Sequence, residues 1–594
     1  MIRNKRNKKL INFLVIPLST LLILFYFYLA LPLWGVPFNA QRHGNPPLTP
    51  AWALECWLWE DDVNTADRVD ELLAGYAEYD IPVRTILLDS PWSLRYNDFE
   101  VDEDLYPEPE IWFNKLQDSG YRVVLWMTPN VNSYSKDTKI QESEPWYNRA
   151  VDNGYLTGNG TQVKWWKGKG GYIDYSNPDA TKWWHGLQSK VYEYGIDGWK
   201  LDGSATTFTS KLGPIPLFFQ STKSGLMSTR SYMDHYYRNE FLHGKEQNPE
   251  FITLSRAMDR RFHPEGFAPI DAAPVTWVGD QEHHWSTSAN QEGKEGEKKD
   301  IALKGIQGFE SAIQSILRSA EKGYNIIGSD VAGFSGRDIP PRLYIRWAQF
   351  STFCGLFLNG GHGERALWKR SPEELEIIRE YSWLHTELIP YMYSYVVEGH
   401  KGGRVLQKPI KGKYHYMFGD YLLIAPIYKD DLSNIINLPE GKWRYWFDDK
   451  EIIEGPASFE KEFPLDEYPV YIKEGAIIPM HIEREYTKIG DESYEGYLTM
   501  RIYPENKSNL TIYDTDTIES TKVESIESDS SIEINLKSIK KKYILQVKLQ
   551  SKPKKVSLNE KVLEDTIDYT FDKNRSKLII KSETNNTVKY IIIK

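Results

Sequence analysis

The sequence predicts an α/β protein: a (β/α)8 TIM barrel, two antiparallel β-sandwich domains after it, and a transmembrane helix at the N-terminus. Three observations predict this architecture. Between residues 51 and 400, short apolar runs alternate with stretches of helical period. After residue 400, short β-type runs are separated by turn residues. Residues 10–34 are almost wholly apolar and follow a basic N-terminus.

Length and composition set the limits for this architecture. The 594 residues exceed what one hydrophobic core organises, so two or three domains are expected. A net charge of -11 argues against a nucleic-acid partner, because such binding needs clustered Lys and Arg. The two cysteines form no CxxC pair, and no metal-ligand or nucleotide-binding motif is present. We therefore expect no metal and no cofactor, and the oligomeric state is left open.

The N-terminal segment predicts where the protein resides. Residues 1–9 carry five basic residues and no acidic one. The apolar stretch at 10–34 exceeds the roughly 7–15 residues of a secretory signal, and no small-residue cleavage site follows it. We predict a cytoplasmic segment at 1–9, a transmembrane signal anchor at 10–34 and a linker at 35–50, with the catalytic domain outside the cytoplasm. Secretion after signal cleavage is the alternative.

The barrel is predicted over residues 51–400. Continuous apolar strands separated by helices are typical of a parallel sheet that is covered on both faces. Eight apolar runs are candidate strands: 52–59, 83–89, 121–128, 196–202, 251–256, 274–280, 325–330 and 354–359. Helical period is found at 65–79, 108–119, 178–194, 308–322 and 340–352.

Two β-domains are predicted after the barrel. Residues 401–485 contain aromatic-rich β-type runs and are predicted to form a proximal β-sandwich. From residue 486 the composition shifts towards Lys, Ile, Ser and Glu with alternating polarity, which predicts a distal β-sandwich over 486–594.

Acidic residues at the ends of the predicted strands are candidates for chemistry. Asp89, Asp202, Asp280 and Asp330 each end an apolar run. Active sites of this barrel lie at the carboxyl ends of its strands. Two carboxyl groups are enough to cleave an acetal, since one attacks or stabilises and the other protonates the leaving oxygen. For any one of these residues, capping of a loop or helix is the plain alternative.

Several segments resemble a known family in a fixed order. They are ILLDSPW, WWKGKGGYIDYSNPDATKWW, KLDG, LSRA, WVGD, GSDVAGF, YMFGDYLLIAPI and YPVYIKEGAIIPM. This set, spread over residues 48–485, resembles the family 31 glycoside hydrolases, which are retaining α-glycosidases. The resemblance implies an exo-acting enzyme that hydrolyses terminal α-linked sugars of oligosaccharides or glycoconjugates. It makes Asp202 the nucleophile and Asp280 the acid/base.

The same resemblance assigns substrate-binding residues. These are Asp89, Trp126, Lys200, Arg256, Trp277, Asp330 and His362. Asp202 should be ionised, because Lys200 and Arg256 favour its charged form. Asp280 should be protonated at rest, through burial or a neighbouring like charge. Trp126, Trp166 and Trp277 are expected to form walls of the pocket.

Three departures from the family pattern leave the sugar open. A Gly-Ser-Ala run at 203–205 follows Asp202 where α-glucosidases have Met-Asn-Glu, and Ser-Pro-Trp at 90–92 follows Asp89. We expect Gly203 to make space for an axial or bulky substituent. The N-terminal β-sandwich usual in the family is not recognised before the barrel, so part of the pocket wall should come from elsewhere.

Glucose, galactose, xylose and N-acetylgalactosamine all remain candidate sugars. A catalytically silent carbohydrate-binding protein on the same scaffold is one alternative function, and an α-transglycosylase is another.

Overall fold

The computed structural model describes residues 15–25, 44–203, 208, 210–212, 215–217, 219–256, 268–286, 308–336, 338–583 and 586–594. Residues 15–25 form an exposed helix. Across the part of the chain described, no helix is both long enough and apolar enough to cross a bilayer. The predicted segment 1–9 and most of the predicted anchor 10–34 lie outside the described residues, so the anchor stays a prediction.

Eight parallel strands form the barrel, as predicted. In space their order is β7-β6-β5-β4-β3-β2-β1-β8, and a parallel bridge between Asp330 and Leu358 joins the two ends into a ring. The strands are β1 Trp57–Leu58, β2 Thr85–Leu88, β3 Arg122–Met127, β4 Gly198–Leu201, β5 Ile252–Arg256, β6 Val275–Trp277, β7 Ile326–Gly328 and β8 Leu358–Asn359.

Helices alternate with the barrel strands along the chain. Local capping fixes where several begin: the Thr65 side chain accepts from the backbone N–H of Arg68, and Asn177 accepts from Asp179. The helices are α1 Ala66–Glu78, α2 Pro109–Asp118, α3 Glu144–Asp152, α4 Pro178–Glu193, α5 Thr229–Gln247, α6 Phe309–Glu321, α7 Pro341–Thr352, α8 Pro372–Glu387 and α9 Ile389–His400. The five predicted helical stretches correspond to α1, α2, α4, α6 and α7.

Two insertions lie after neighbouring barrel strands. After β3, a three-stranded antiparallel sheet forms from Asn130–Ser135, Gly168–Tyr172 and Val163–Trp165, and we call it the inserted sheet. After β4, a two-stranded hairpin forms from Phe219–Thr222 and Gly225–Ser228. Because both insertions follow carboxyl ends of barrel strands, they extend the rim on which an active site of this fold is built.

The C-terminal part is built from sheets, but its division differs from the prediction. The first region is one six-stranded antiparallel sheet rather than two sheets. The strand Ile477–Met480, predicted to belong to this region, pairs instead with Leu498–Ile502 of the second region. In spatial order the first sheet contains Gln407–Pro409, Tyr416–Phe418, Leu422–Ile424, Val470–Lys473, Ser433–Tyr445 and Ile453–Glu462.

Two sheets make up the second region, as expected of a sandwich. A hydrogen bond between the hydroxyls of Tyr543 and Tyr590 joins them at 2.8 Å. The five-stranded sheet contains Ile477–Met480, Leu498–Ile502, Tyr543–Lys548, Lys577–Ser582 and Thr570–Asp572. The six-stranded sheet contains Lys507–Tyr513, Ser520–Glu527, Ser531–Ile539, Asn586–Ile593, Lys555–Leu558 and Lys561–Val562.

Candidate active site

A cavity of about 470 Å³ lies at the carboxyl ends of the barrel strands. Its size is that of a small-molecule site. It brings together most of the residues predicted from the sequence: Asp89, Trp126, Trp166, Lys200, Asp202, Arg256, Asp280 and His362. The predicted residues Trp277 and Asp330 lie buried next to it rather than in its lining.

Asp202 is held in its ionised form at the end of β4. Its Oδ1 accepts hydrogen bonds from Arg256 Nε at 3.0 Å and Nη2 at 2.9 Å, and its Oδ2 accepts from Trp126 Nε1 at 3.0 Å. Burial opposes ionisation, but the charges of Arg256 and Lys200 outweigh it and hold the pKa of Asp202 below its usual range. An ionised carboxylate at this position can act as a nucleophile.

Arg256 connects the two candidate catalytic acids. The same Nη2 atom that bonds Asp202 also donates to Asp280 Oδ2 at 2.8 Å. The two carboxylate oxygens are therefore separated by no more than two hydrogen-bond lengths, about 6 Å. Retaining glycosidases need a separation of about 5–5.5 Å, whereas inverting enzymes need roughly 6.5–9.5 Å. The Asp280 side chain is 29% exposed and reaches the cavity from the end of β6.

Lys200 and Asp89 form a buried ion pair at the base of the cavity. Lys200 Nζ donates to Asp89 Oδ2 at 2.7 Å, and it lies 4.0 Å from the ring centre of Trp59. Burial acts against the charge of Lys200, but the carboxylates around it, Asp89 first, raise its pKa above the usual range. The pair sits at the ends of β4 and β2, so two strands hold it in place.

Asp330 is a buried carboxyl group beside the cavity. It follows β7, and within the described residues neither of its oxygens accepts a hydrogen bond. Burial raises the pKa of Asp330 to about 8, against the opposing charge of Lys200. An unpaired buried charge costs more free energy than an unpaired neutral group, so burial favours the protonated form of Asp330.

The three predicted pocket tryptophans have different positions. Trp126 lines the cavity and bonds Asp202. Trp277 does not line it: its ring lies buried, with the Arg256 guanidinium 4.7 Å and Lys200 Nζ 5.4 Å from its centre. Trp277 thus supports the two cations through their attraction to its ring face, and the expectation that it forms a pocket wall is wrong.

Trp166 occupies the space beside Gly203. Gly203 has a φ of 75°, and a Cβ placed on it would be 2.7 Å from Trp166 Cη2. The expectation that this glycine makes room for a sugar substituent is therefore wrong, because the indole ring takes that room. Trp166 belongs to the turn of the inserted sheet, and its side chain is 46% exposed at the cavity mouth.

His362 lies between two carboxylates. Its Nδ1 is 2.7 Å from Asp62 Oδ1 and its Nε2 is 3.2 Å from Asp61 Oδ2. The ring packs against Phe334, with 4.8 Å between ring centres. His362 lines the cavity as predicted, but both of its nitrogens already face protein oxygens.

Several lining residues were not predicted as site residues from the sequence: Asp61, Ser90, Pro91, Asp137, Lys167 and Phe334. Asp61 follows β1, so the strand-end rule that selected the other aspartates could have found it. Asp137 and Lys167 come from the inserted sheet, where they form an ion pair at 2.8 Å. No sequence signal points to that pair, because its position depends on how the insertion folds.

Comparisons with known proteins agree with this geometry. Residues 46–292 and 301–395 match the model of the glycosyl hydrolases family 31 TIM-barrel domain, and residues 405–478 match the family 31 C-terminal domain. The chain belongs to glycosyl hydrolase family 31. This match confirms the resemblance inferred from the ordered motifs.

Individual family 31 proteins resemble the chain at low identity. An alpha-xylosidase of Emericella nidulans is 25% identical over 74% of this chain and 55% of its own length. Alpha-glucosidase 2 of Bacillus thermoamyloliquefaciens is 24% identical over 80% of this chain and 58% of its own length. The structure of a Flavobacterium johnsoniae dextranase complexed with glucose superimposes with a TM-score of 0.78 at 20% identity, covering 93% of this chain and 72% of that chain. The chain thus spans little more than half of these two curated relatives.

Proposed function

We propose that the protein is a retaining α-glycosidase that releases a terminal α-linked sugar from an oligosaccharide or glycoconjugate. The observation that carries the proposal is the single Arg256 nitrogen bonded to both Asp202 and Asp280. It supports a carboxylate separation short enough for Asp202 to attack the sugar directly, without a water molecule between Asp202 and the anomeric carbon in the first step.

The first step forms a covalent intermediate. A carboxylate oxygen of Asp202 bonds to the anomeric carbon while the bond from that carbon to the leaving oxygen breaks. Asp280 gives its proton to the leaving oxygen, so the aglycone departs as a neutral alcohol. Arg256 and Lys200 keep Asp202 ionised before the attack, and the departing Asp280 proton leaves a carboxylate that Arg256 can also stabilise.

The second step restores the enzyme. Asp280, now ionised, takes a proton from a water molecule, and the water oxygen bonds to the anomeric carbon. The bond to Asp202 breaks and its carboxylate is released. Two inversions at one carbon return the α-configuration, which is the property that defines a retaining enzyme.

Action on a chain end is supported by the closed base of the cavity. The Lys200–Asp89 pair is buried there, and Asp330 lies buried beside it. A polymer could not continue through these groups, so the sugar held at the base would be terminal. The mouth is open and bordered by Trp166, which leaves room for the rest of the substrate.

The test combines a substitution with product analysis on a panel of aryl α-glycosides of glucose, galactose, xylose and N-acetylgalactosamine. We expect Asp202→Ala to lower kcat by at least about 10³-fold while circular dichroism stays unchanged, since the nucleophile is lost. NMR of the first product of the unaltered enzyme should show the α-anomer.

Four other outcomes would contradict the proposal. A β-anomer would exclude retention, and turnover by Asp202→Ala would remove the nucleophile assignment. Binding of a sugar without turnover by the unaltered protein would favour a silent carbohydrate-binding protein. Products longer than the substrate would favour the α-transglycosylase, in which a sugar hydroxyl replaces water in the second step.

We also propose that residues 10–34 anchor the protein in the membrane with the barrel outside the cytoplasm. The support is the sequence alone: the apolar stretch and the basic residues at 1–9. Fractionation of cells should place the full chain with membranes and a chain lacking residues 1–34 in the soluble fraction. Recovery of the full chain in the soluble fraction would favour signal cleavage.

A further inference from the structure

The cavity contains a carboxylate that the sequence did not predict, and its position assigns it a role. On the basis of the proposed function, we propose that Asp61 is a specificity-determining residue that accepts a hydrogen bond from a hydroxyl on the edge of the terminal sugar farthest from the scissile bond. The proposal concerns recognition of a neutral sugar, and it leaves the cleavage chemistry with Asp202 and Asp280.

The order of the strands places Asp61 across the cavity from the catalytic acids. Asp61 follows β1, whose neighbours in the ring are β2, which carries Asp89, and β8, which leads to His362. Asp202 and Asp280 follow β4 and β6, on the opposite side of the ring. A sugar with its anomeric carbon between Asp202 and Asp280 therefore turns its far edge towards Asp61.

Asp61 still has acceptor capacity directed at that edge. Its Oδ1 accepts from Asn64 Nδ2 at 3.2 Å, and its Oδ2 lies 3.2 Å from His362 Nε2. Burial, and next the charge of Asp89, raise the pKa of Asp61 to about 7. In either protonation state a carboxyl group has more acceptor sites than these two contacts occupy, so it can accept a further hydrogen bond. The side chain is 13% exposed, and Asp61 lines the cavity.

His362 cannot serve the same edge while it keeps its present contacts. Both ring nitrogens face the carboxylates of Asp61 and Asp62. These contacts fix the ring, and they also fix the orientation of Asp61 with respect to the cavity. His362 thus holds Asp61 in position, and Asp61 is the polar group that a sugar hydroxyl would contact.

The charged side chains on this side of the cavity indicate which class of sugar it binds. Asp61 and Asp89 both line this side of the cavity, and the nearby Lys200 is already bonded to Asp89. Sugar hydroxyls can donate to such carboxylates. Among the described lining residues, the cations Lys200 and Lys167 are already paired with Asp89 and Asp137. A sugar carrying a carboxylate or sulfonate on its far edge would therefore meet the acidic side chains of Asp61 and Asp89, so neutral sugars with free hydroxyls are favoured.

Asp62 provides a matched control. It neighbours Asp61 in the chain and bonds the same histidine, but it does not line the cavity, and its side chain is 50% exposed. Asp61→Asn and Asp62→Asn each remove one carboxylate from His362 with almost no change in shape. Only the first removes an acceptor from the cavity.

The experiment pairs these variants with substrates that lack one hydroxyl. The aryl α-glycoside that the unaltered enzyme cleaves fastest is compared with its 3-deoxy, 4-deoxy and, where C6 is present, 6-deoxy analogues. We expect Asp61→Asn to lower kcat/KM for the parent by about 10- to 100-fold, and to lower it less than about 2-fold for the one analogue that lacks the bonded hydroxyl. Asp62→Asn should change parent and analogues by one common factor.

Two results would overturn the assignment of Asp61. One is an equal loss by Asp61→Asn on the parent and all analogues, which a merely structural residue would produce. The other is no loss on any substrate. Failure of the proposed function is a separate result, in which the unaltered protein turns over no substrate. In that case calorimetry compares the Kd values of the same variants for the parent monosaccharides and their deoxy analogues.

Discussion

Asp330 illustrates how one buried side chain links the stability of the fold to the site. It has no hydrogen-bond partner within the described residues, and burial raises its pKa to about 8. In the unfolded chain the pKa of an Asp side chain is about 3.9. The folded protein therefore binds this proton more tightly, so the carboxyl favours folding below about pH 4 and loses that contribution as the pH rises towards 8.

Asp330→Asn should therefore stabilise the protein more at high pH than at low pH. Asn cannot ionise, so it keeps the neutral state that burial favours. We compare the melting temperature of the variant with that of the unaltered protein at pH 5 and at pH 8.5. The difference, variant minus unaltered protein, should be larger at pH 8.5 by about 2 °C or more. Thermal unfolding followed by circular dichroism measures the difference.

The control for this measurement is an exposed carboxyl. Glu78 lies at the end of α1 and is exposed. Glu78→Gln should change the melting temperature by the same amount at both pH values. If Asp330→Asn behaves in the same way, the buried carboxyl does not titrate in this range.

At the scale of elements, the inserted sheet contacts the end of β4 next to the catalytic residue. Trp166 lies in a turn of the inserted sheet, and its ring fills the space beside Gly203, directly after the nucleophile. The left-handed backbone of Gly203 allows the chain to turn there without a side chain. The insertion after β3 thus packs against the residue that directly follows the catalytic Asp202.

Gly203→Ala should disturb both stability and catalysis. The added methyl group meets the Trp166 ring and an unfavourable φ, which we expect to cost about 1 kcal/mol or more in unfolding free energy. A shift of Asp202 should lower kcat/KM by about 10-fold or more. Denaturant unfolding and steady-state kinetics on an aryl α-glycoside measure the two effects.

Two further variants separate the clash from the backbone effect. Adding Trp166→Ala to Gly203→Ala removes the ring and should recover part of the lost stability. Gly186 lies in α4 with no atom within 4 Å of an added Cβ, so Gly186→Ala should leave activity unchanged. Full activity in Gly203→Ala would show that the ring moves aside freely.

At the scale of the whole molecule, the barrel could be predicted from the sequence because its pattern is regular. Buried parallel strands produce apolar runs, and the helices between them produce helical period, so all eight strands were found. The acids Asp202 and Asp280 were found because they end two of those runs, and their roles came from the family motifs.

The remainder could not be predicted because it depends on packing between distant segments. The inserted sheet contains Gly168–Tyr172, a glycine-rich strand without an apolar run, so neither Lys167 nor Asp137 was connected to the cavity. Trp277 was wrongly predicted to form a pocket wall, because sequence periodicity does not show whether a side chain at the end of a strand faces the cavity or the interior. The strand Ile477–Met480 was given to the wrong sheet because pairing across domains leaves no local signal.

The closure of the barrel has a consequence for how the protein matures. The ring is completed by pairing β1 with β8, where Trp57 meets Leu358, about 300 residues apart in the chain. Asp61 and Asp89 lie early in this interval, Asp280 and Asp330 lie late in it, and His362 follows it. The two halves of the pocket therefore meet only when the last strand has been synthesised and docked, so a nascent chain has no working site until the whole barrel is made.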